Sequence, residues 1–363
     1  MLNTVMGIMS GTSLDGIDIS VVKTNGLELY PTNIKFTDKY NINSQKLLRK
    51  LIKSKNELIH NTDFINVLEN YITDDYLRSI NKALKLYQDK VEIIGLHGQT
   101  IFHSPKLKKS IQLGNAQKIA NITKIKVVNN FREKDILNGG EGAPLAPIYH
   151  QYLIDKLKLD LPSCVINIGG ISNITYYNKD ELIGFDSGPG NVLINDYIYK
   201  KLGKEFDLNG HLASKGKFNL ELVNFFLKDS FFKKIFPKSA DRLDFHFIFE
   251  NKVFKKLKVE DALATLTLIT AKSILESLNT LPQKPLNIII SGGGQHNKFL
   301  IKTIDKLTRC SVILADHLNI NGNFMEAELM AYLAARSIKN LPITFPLTTG
   351  VRIPLSGGDI TLP

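Results

Sequence analysis

At 363 residues, with 43% hydrophobic side chains, the chain is long enough for two domains with separate cores, and its two cysteines, Cys164 and Cys310, lie in apolar runs that offer neither a disulfide nor a zinc framework. The net charge of +11 favours anionic ligands, but the lysines are scattered in short groups such as 106–109 and 252–258 without a nucleic-acid module, which argues against nucleic acid as a partner. No stretch has the order of a signal peptide or the length of a membrane span, so a cytoplasmic protein with no membrane partner is expected.

Residues 4–9 and 17–22 read as the two strands of a hairpin. Between them, the run GIMSGTSLDGID at 7–18 places Ser10, Gly11, Thr12, Ser13 and Gly16 where backbone N–H groups and hydroxyls project from a sheet end, as a phosphate cradle requires. Asp15 and Asp18 would repel a bare phosphate, which is more readily explained if Mg2+ sits between them and the phosphate oxygens. The same composition also suits a long hairpin loop. Residues 43–90 carry helical periodicity, clearest over 73–90, where Tyr76, Leu77, Ile80, Leu84 and Tyr87 recur behind a Thr/Asp cap. Strands at 92–96, 110–113 and 126–129 and a helix at 116–122 then complete a first α/β domain over residues 1–130.

The second domain, 131–363, restarts the same grammar. Strands at 163–168, 172–177 and 182–186 surround a Gly169-Gly170 turn, and a helix follows at 191–201. Helices at 261–278 and 325–338 flank a buried strand at 287–290. The repeated opening of strand, small-residue turn and strand suggests two related halves around a cleft.

Four further motifs bear on chemistry. In LHGQT at 96–100, His97, Gln99 and Thr100 are the fixed polar groups that hold carbohydrates, although a satisfied structural histidine is the commoner case; His97 and His103 lack the companions of a zinc site. Arg132 could grip a ligand carboxylate in bidentate fashion or form an interdomain salt bridge, and a Gly-rich stretch at 139–147 follows it. In GFDSGPGN at 184–191, Asp186 ends a strand at the carboxyl edge of a sheet, where Gly188 and Gly190 admit a phosphate or sugar; a helix cap in a tight turn is the alternative. In SGGGQHN at 291–297, Gly292, Gly293 and Gly294 leave a surface without side chains, suited to a purine or ribose. Neither a Walker A motif nor a Gly-x-Ser-x-Gly elbow is present.

Taken together and in order, GIMSGTSLDGID, LHGQTIFH, NFREKDILNGGEGAPLAP, INIGGISNIT, GFDSGPGN and SGGGQHN closely resemble the anhydro-N-acetylmuramic acid kinase family over nearly the whole chain. The resemblance implies an α/β fold of the sugar kinase, Hsp70 and actin superfamily. It has two duplicated actin-like (ribonuclease H-like) domains around a nucleotide and substrate cleft, with a return of the last residues to the first domain left open. It implies ATP and Mg2+, hydrolytic opening of a 1,6-anhydro amino sugar and phosphorylation of its 6-hydroxyl, in cell-wall sugar recycling. On that resemblance Asp186 is the general base that activates water. Gly11, Thr12, Ser13, Leu14, Asp15, Gly16, Ile17 and Asp18 would hold the ATP phosphates, with Asp15 and Asp18 toward the metal, and Gly188, Gly292, Gly293 and Gly294 would serve the nucleotide. His97, Gln99, Thr100 and Arg132 would face the sugar, Arg132 toward its lactyl carboxylate. A homodimer is left open.

Asn115 and Asn130 stand where aspartate is expected in relatives, and KSADRLDF at 238–245 differs from the usual Ser-Thr-Gly-Arg-Glu pattern. An ordinary sugar kinase acting on a ready-made hydroxyl, and a non-catalytic ATP- or sugar-binding sensor, are the rival readings. Asp186 and Asp15 speak against the sensor, which needs neither a base nor a metal carboxylate.

Overall fold

Alternation along the first strand decides how the amino-terminal part is layered. In the computed structural model, which describes residues 1–11, 16–318, 320, 322 and 324–363 and leaves the side chains of 53, 55 and 56 undescribed, the strands are as follows. They are β1 (Asn3–Met9), β2 (Ile17–Thr24), β3 (Leu29–Asp38), β4 (Ile93–Leu96), β5 (Gln99–Ser104), β6 (Lys109–Leu113) and β7 (Lys126–Asn129). Then come β8 (Ser163–Ile168), β9 (Ile171–Tyr177), β10 (Leu182–Pro189), β11 (Asn287–Ser291), β12 (Ser311–Leu314) and β13 (Asp359–Thr361). Met6 and Ile8 of β1 enter a core shared with Leu68, Ile72, Tyr76 and Ile80 of the helix Thr62–Leu86. Gly7, pointing the other way, lies under the helix Met325–Ile338, and that alternation is the two-residue period of a strand buried on both faces.

Gly7 pairs with Gly95 of β4 in parallel register. A Cβ on Gly7 would stand 1.8 Å from the Ala327 carbonyl oxygen, and one on Gly95 2.3 Å from that of Met330. The two glycines therefore form a flat patch on which the backbone of that helix rests. Gly7→Ala is expected to lower the unfolding free energy by about 1–3 kcal/mol or more, since the clash is with backbone. The denaturant midpoint reads this, and an unchanged midpoint would show that the helix can lift at no cost.

The chain divides into two compact units, residues 1–152 with 324–363, and residues 153–323. The boundary thus falls after Tyr152 and again before Phe324, and not near 130. Residues 131–152 stay with the first unit, where the Tyr149 phenol donates to Glu328 and the Tyr152 phenol to the Leu29 carbonyl, and the last segment returns to it: the helix Met325–Ile338 packs on β1, β2 and β4, and β13 pairs antiparallel with β7. The first unit's sheet runs β13-β7-β4-β1-β2-β3 and the second's runs β10-β9-β8-β11-β12. In the first, β2 lies between β1 and β3 and runs antiparallel to both, while β4 and β7 join parallel to β1. In the second, β8, β9 and β10 repeat the antiparallel meander and β11 and β12 the parallel additions. β13 aside, which the second sheet has no counterpart for, the two sheets share one strand order and one set of orientations and define a duplicated α/β fold of the actin-like, ribonuclease H-like kind.

Within the second unit the helix Val259–Leu278 packs on β10 and on the helices Val192–Leu202, Leu220–Phe226 and Lys298–Thr308. Its core is rich in aromatic rings, among them Phe226, Phe231 and Phe245. Among the described residues no helix is long and apolar enough to cross a membrane.

One local expectation changes. The helix read from residue 73 begins at Thr62, capped by Asn61, whose side chain accepts from the Phe64 N–H. Thr73 and Asp75 are buried in its middle, so they are not a cap. The Thr73 hydroxyl donates to the Glu69 carbonyl and accepts the Asn115 N–H, while Asp75 accepts from Asn41 N–H, Ser44 Oγ and Arg78. Their polarity is satisfied by tertiary partners, which imitates a cap signal in sequence.

Candidate active site

In the first unit the hairpin of β1 and β2 brings Ser10 and Gly11 to one side of its turn and Gly16, Ile17 and Asp18 to the other. Thr12, Ser13, Leu14 and Asp15, expected to complete the cradle, lie outside the described residues. Ile17 is fully buried in the core, so whatever it gives a ligand is main chain. Asp18 accepts the Thr37 hydroxyl at 2.5 Å.

Beside Ser10 stands a buried hydroxyl cluster. Ser10 Oγ and the Tyr76 phenol are 2.5 Å apart, and the Tyr40 phenol donates to Gln99 Oε1 at 2.8 Å. Burial pushes the Tyr40 hydroxyl up to about 12, so it remains a donor at any physiological pH. Gln99, 1% exposed, passes the order on: its Nε2 donates to the Gly11 carbonyl at 3.3 Å. The amide expected to face a sugar is thus turned inward and ties the glycine turn to Tyr40.

His97, at the end of β4, is 4% exposed. Arg132 donates to its Nε2 from both Nε (3.2 Å) and Nη2 (2.9 Å), which leaves the proton on Nδ1, 2.8 Å from the Gly98 carbonyl. Burial, aided by the Arg132 guanidinium, lowers His97 to about 3, so the ring is neutral and acts as an acceptor that orients the arginine. Arg132 Nη1 also donates to the Gly142 carbonyl at 2.7 Å, which binds it to the Gly-rich stretch. Thr100, half-buried on β5, accepts from Gln112 Nε2 at 3.3 Å.

Next to His97 lies a cavity of about 210 Å3 lined by Gly98, Gln112, Asn129, Asn130 and Glu133, among others. Asn129 Oδ1 faces no hydrogen-bond partner there although it is buried. Asn130, in left-handed backbone conformation (φ 55°), donates through Nδ2 to Glu133 and, at 2.7 Å, to Asp359 of β13. An aspartate in its place would set three carboxylates together, so the asparagine here matches its neighbours. Asn115 caps the helix Ala116–Thr123, accepting the Lys118 N–H at 2.8 Å, a role asparagine and aspartate fill alike.

In the second unit Asp186 sits where β10 bulges between Asp186 and Gly188. Its N–H donates to the Lys238 carbonyl at 2.9 Å and its Oδ2 accepts the Ala240 N–H at 2.9 Å. The helix-cap alternative therefore does not hold: the helix Val192–Leu202 has Asn191 at its cap position, and the carboxylate is oriented by a loop. Sequence reasoning missed this loop as a holder of Asp186, because the contacts run from the main chain of 238 and 240 and leave no mark on residue type.

The glycines of this unit separate by task. A Cβ on Gly188 would press Ser273, one on Gly190 would meet the Gly169 carbonyl oxygen at 2.4 Å, and one on Gly292 (φ 76°) Asn167 Oδ1 at 2.2 Å. Gly294 is similarly closed by Ile168 at 2.4 Å, whereas a Cβ on Gly293 would meet nothing within 4 Å. Of the three glycines expected to offer a bare surface, two are small because β8 packs on them, and Gly293 alone is open. By the duplication, this turn follows β11 as His97 follows β4, the strands in matching places of the two sheets.

Asp18 is a hard oxygen donor at the hairpin turn, of the kind Mg2+ takes one or two of beside phosphate and water. Among the described residues no group of three or more His, Cys, Asp or Glu forms an all-protein cage.

The fold and these turns define an enzyme class in which a duplicated actin-like frame carries glycine turns and a carboxylate at strand ends. Residues 3–363 match the family model described as anhydro-N-acetylmuramic acid kinase, and the chain belongs to that family. Curated relatives named anhydro-N-acetylmuramic acid kinase include one from Zymomonas mobilis, 39% identical over 98% of this chain and 98% of its own. Another, from Rhodopseudomonas palustris, is 38% identical over 100% of both chains, and one from Pelagibacter ubique is 39% identical over 98% of this chain and 97% of its own. Among solved structures, a ROK family glucokinase from Streptomyces griseus in complex with glucose and AMPPNP is similar at 11% identity and a TM-score of 0.44, covering 92% of this chain and 100% of that one.

Proposed function

We propose that this chain converts 1,6-anhydro-N-acetylmuramic acid, water and ATP into N-acetylmuramic acid 6-phosphate and ADP. The observation that carries this reading, beside family membership, is Asp186: a carboxylate at a strand end whose one oxygen is fixed by the Ala240 N–H, free of the helix-cap role. Asp186 takes a proton from water as the water oxygen bonds to C1 and the C1–O6 bond breaks. O6 then bonds to the γ-phosphorus as the bond to ADP breaks. His97 holds Arg132 toward the lactyl carboxylate, and Gln99 holds the Gly11 turn toward the phosphates. Asp18, with Asp15, would hold Mg2+, which neutralises charge on the phosphates when bound.

Gly293 is read as the floor for the nucleoside. Gly293→Val is expected to weaken ATP binding by about tenfold, roughly 1.4 kcal/mol, at near-native stability. Gly294→Ala should do the reverse, lowering stability more than affinity, because its Cβ meets Ile168. Calorimetric ATP titration and thermal melts of both variants decide it, and equal effects in both would remove Gly293 from the nucleoside site.

Turnover in oxygen-18 water tests the reaction. With Mg-ATP and the anhydro sugar, rapid mass analysis should find one solvent oxygen at C1 of the phosphorylated product. Product without solvent oxygen would mean an ordinary kinase acting on a ready-made hydroxyl, and ATP binding without turnover would mean a sensor.

A further inference from the structure

Asp186 is gripped by one short stretch of chain, residues 238–240, which takes its main-chain N–H through the Lys238 carbonyl and holds its carboxylate through the Ala240 N–H, both at 2.9 Å. That stretch has no strand of its own to anchor it, so something must fix it against the edge of β10. The side chain placed to do so is Lys238. It is 6% exposed, its ammonium lies 4.6 Å from the centre of the Phe231 ring and 5.7 Å from that of Phe185, and it donates to the Phe231 carbonyl at 3.4 Å. Phe185 directly precedes Asp186 in β10, and successive strand side chains point to opposite faces. The ammonium is therefore buried behind the strand whose front carries the carboxylate.

We infer that Lys238 is a positioning residue for Asp186: its ammonium, seated between the Phe231 and Phe185 rings, pins the 238–240 strap to β10 and sets a fixed positive charge behind the carboxylate. A lysine is an expensive anchor in an aromatic pocket, where a leucine or methionine would pack without desolvating a charge. That cost is accounted for if the charge is used. The charged groups that act on the ammonium are Asp186 from β10 and Lys234, just past the short helix Ser230–Lys233. Burial lowers Lys238 to about 8, with Lys234 adding to the fall and the Asp186 carboxylate opposing it. The ammonium is therefore charged at neutral pH, where it favours the ionised carboxylate that a base must be. This inference rests on Asp186 being the base.

The test compares Lys238→Met, which keeps length and apolar packing but removes the charge, with Lys238→Arg, which keeps the charge. In Lys238→Met, kcat is expected to fall about tenfold with KM for both substrates within about twofold, and the acid limb of the kcat/KM profile to move up by about 0.5–1 pH unit. Lys238→Arg should recover most of both. An unchanged kcat and pH profile in a folded Lys238→Met overturns the role. A second measurement needs no turnover: the Lys238 ε-carbon resonance, assigned by its loss in Lys238→Arg, should titrate at lower pH in Asp186→Asn than in the wild type. An unmoved titration also overturns it. Wild-type turnover by Asp186→Asn would instead sink the base assignment itself, whereas inactive Asp186→Asn beside unaffected Lys238→Met removes only the lysine.

Discussion

Asp186→Asn is expected to lower kcat by roughly 10²–10⁴-fold, the range over which a positioned general base contributes, while ATP affinity stays within about twofold. The amide cannot take the water proton, yet it is nearly isosteric, and its carbonyl oxygen can still accept the Ala240 N–H that orients the side chain. The loss would then report proton transfer and not a collapsed loop. Isothermal titration with ATP and single-turnover kinetics with the anhydro sugar separate the two quantities. If the variant keeps wild-type turnover, the water is activated elsewhere. A joint loss of turnover and ATP binding would mean that the bulge at Asp186 and Gly188, and with it the local fold, depends on the acid.

The second large effect concerns Arg132. Arg132→Leu is expected to raise the KM for the anhydromuramic sugar by about 10–100-fold, as for losing about 1.5–3 kcal/mol of hydrogen bonding to a charged group. 1,6-Anhydro-N-acetylglucosamine, which lacks the lactyl carboxylate, should be affected far less, so the variant should lose discrimination between the two sugars. Arg132→Lys should behave more like the leucine variant than charge alone suggests, because the Nε and Nη2 pair that meets His97 has no counterpart in an ammonium. An equal loss on both sugars would assign the arginine to holding the Gly142 carbonyl rather than to reading the acid.

The hairpin of β1 and β2, the strands β8 to β10 and the helix at 325–338 were legible because each is buried along most of its length and so reads as a mainly apolar run bounded by turn residues. β3 was not: it is the edge of its sheet, and most of its ten residues are exposed or half-buried, so its pattern is mixed. The hairpin of β5 and β6 escaped in part for a similar reason, as few of its side chains are buried. The domain boundary was set near 130 because residues 131–152 are tied to the first unit by partners far away in the chain, such as Glu328 for Tyr149 and Leu29 for Tyr152, which no local window contains.

At the site, residue types were legible and their partners were not. Gly292, Gly293 and Gly294 look alike in sequence, and only the neighbouring Ile168 and Asn167 reveal that two of them are packing glycines. Gln99 reads as a sugar ligand until Tyr40, far away in the chain, is found on its amide. The strap at Lys238 needed the aromatic pocket to be seen, since a lone lysine in a basic chain carries no signal.

The helix Met325–Ile338 has a consequence for synthesis on the ribosome. The second unit, 153–323, is one continuous stretch and can fold as soon as it has emerged. The first unit cannot, although it is translated first: the glycine patch of β1 and β4 has no cover until residues 324–363 leave the exit tunnel. Until residues 324–363 have been made, then, the sheet face that carries Gly7 and Gly95 stands uncovered, and it is that surface a chaperone or a second nascent chain would meet.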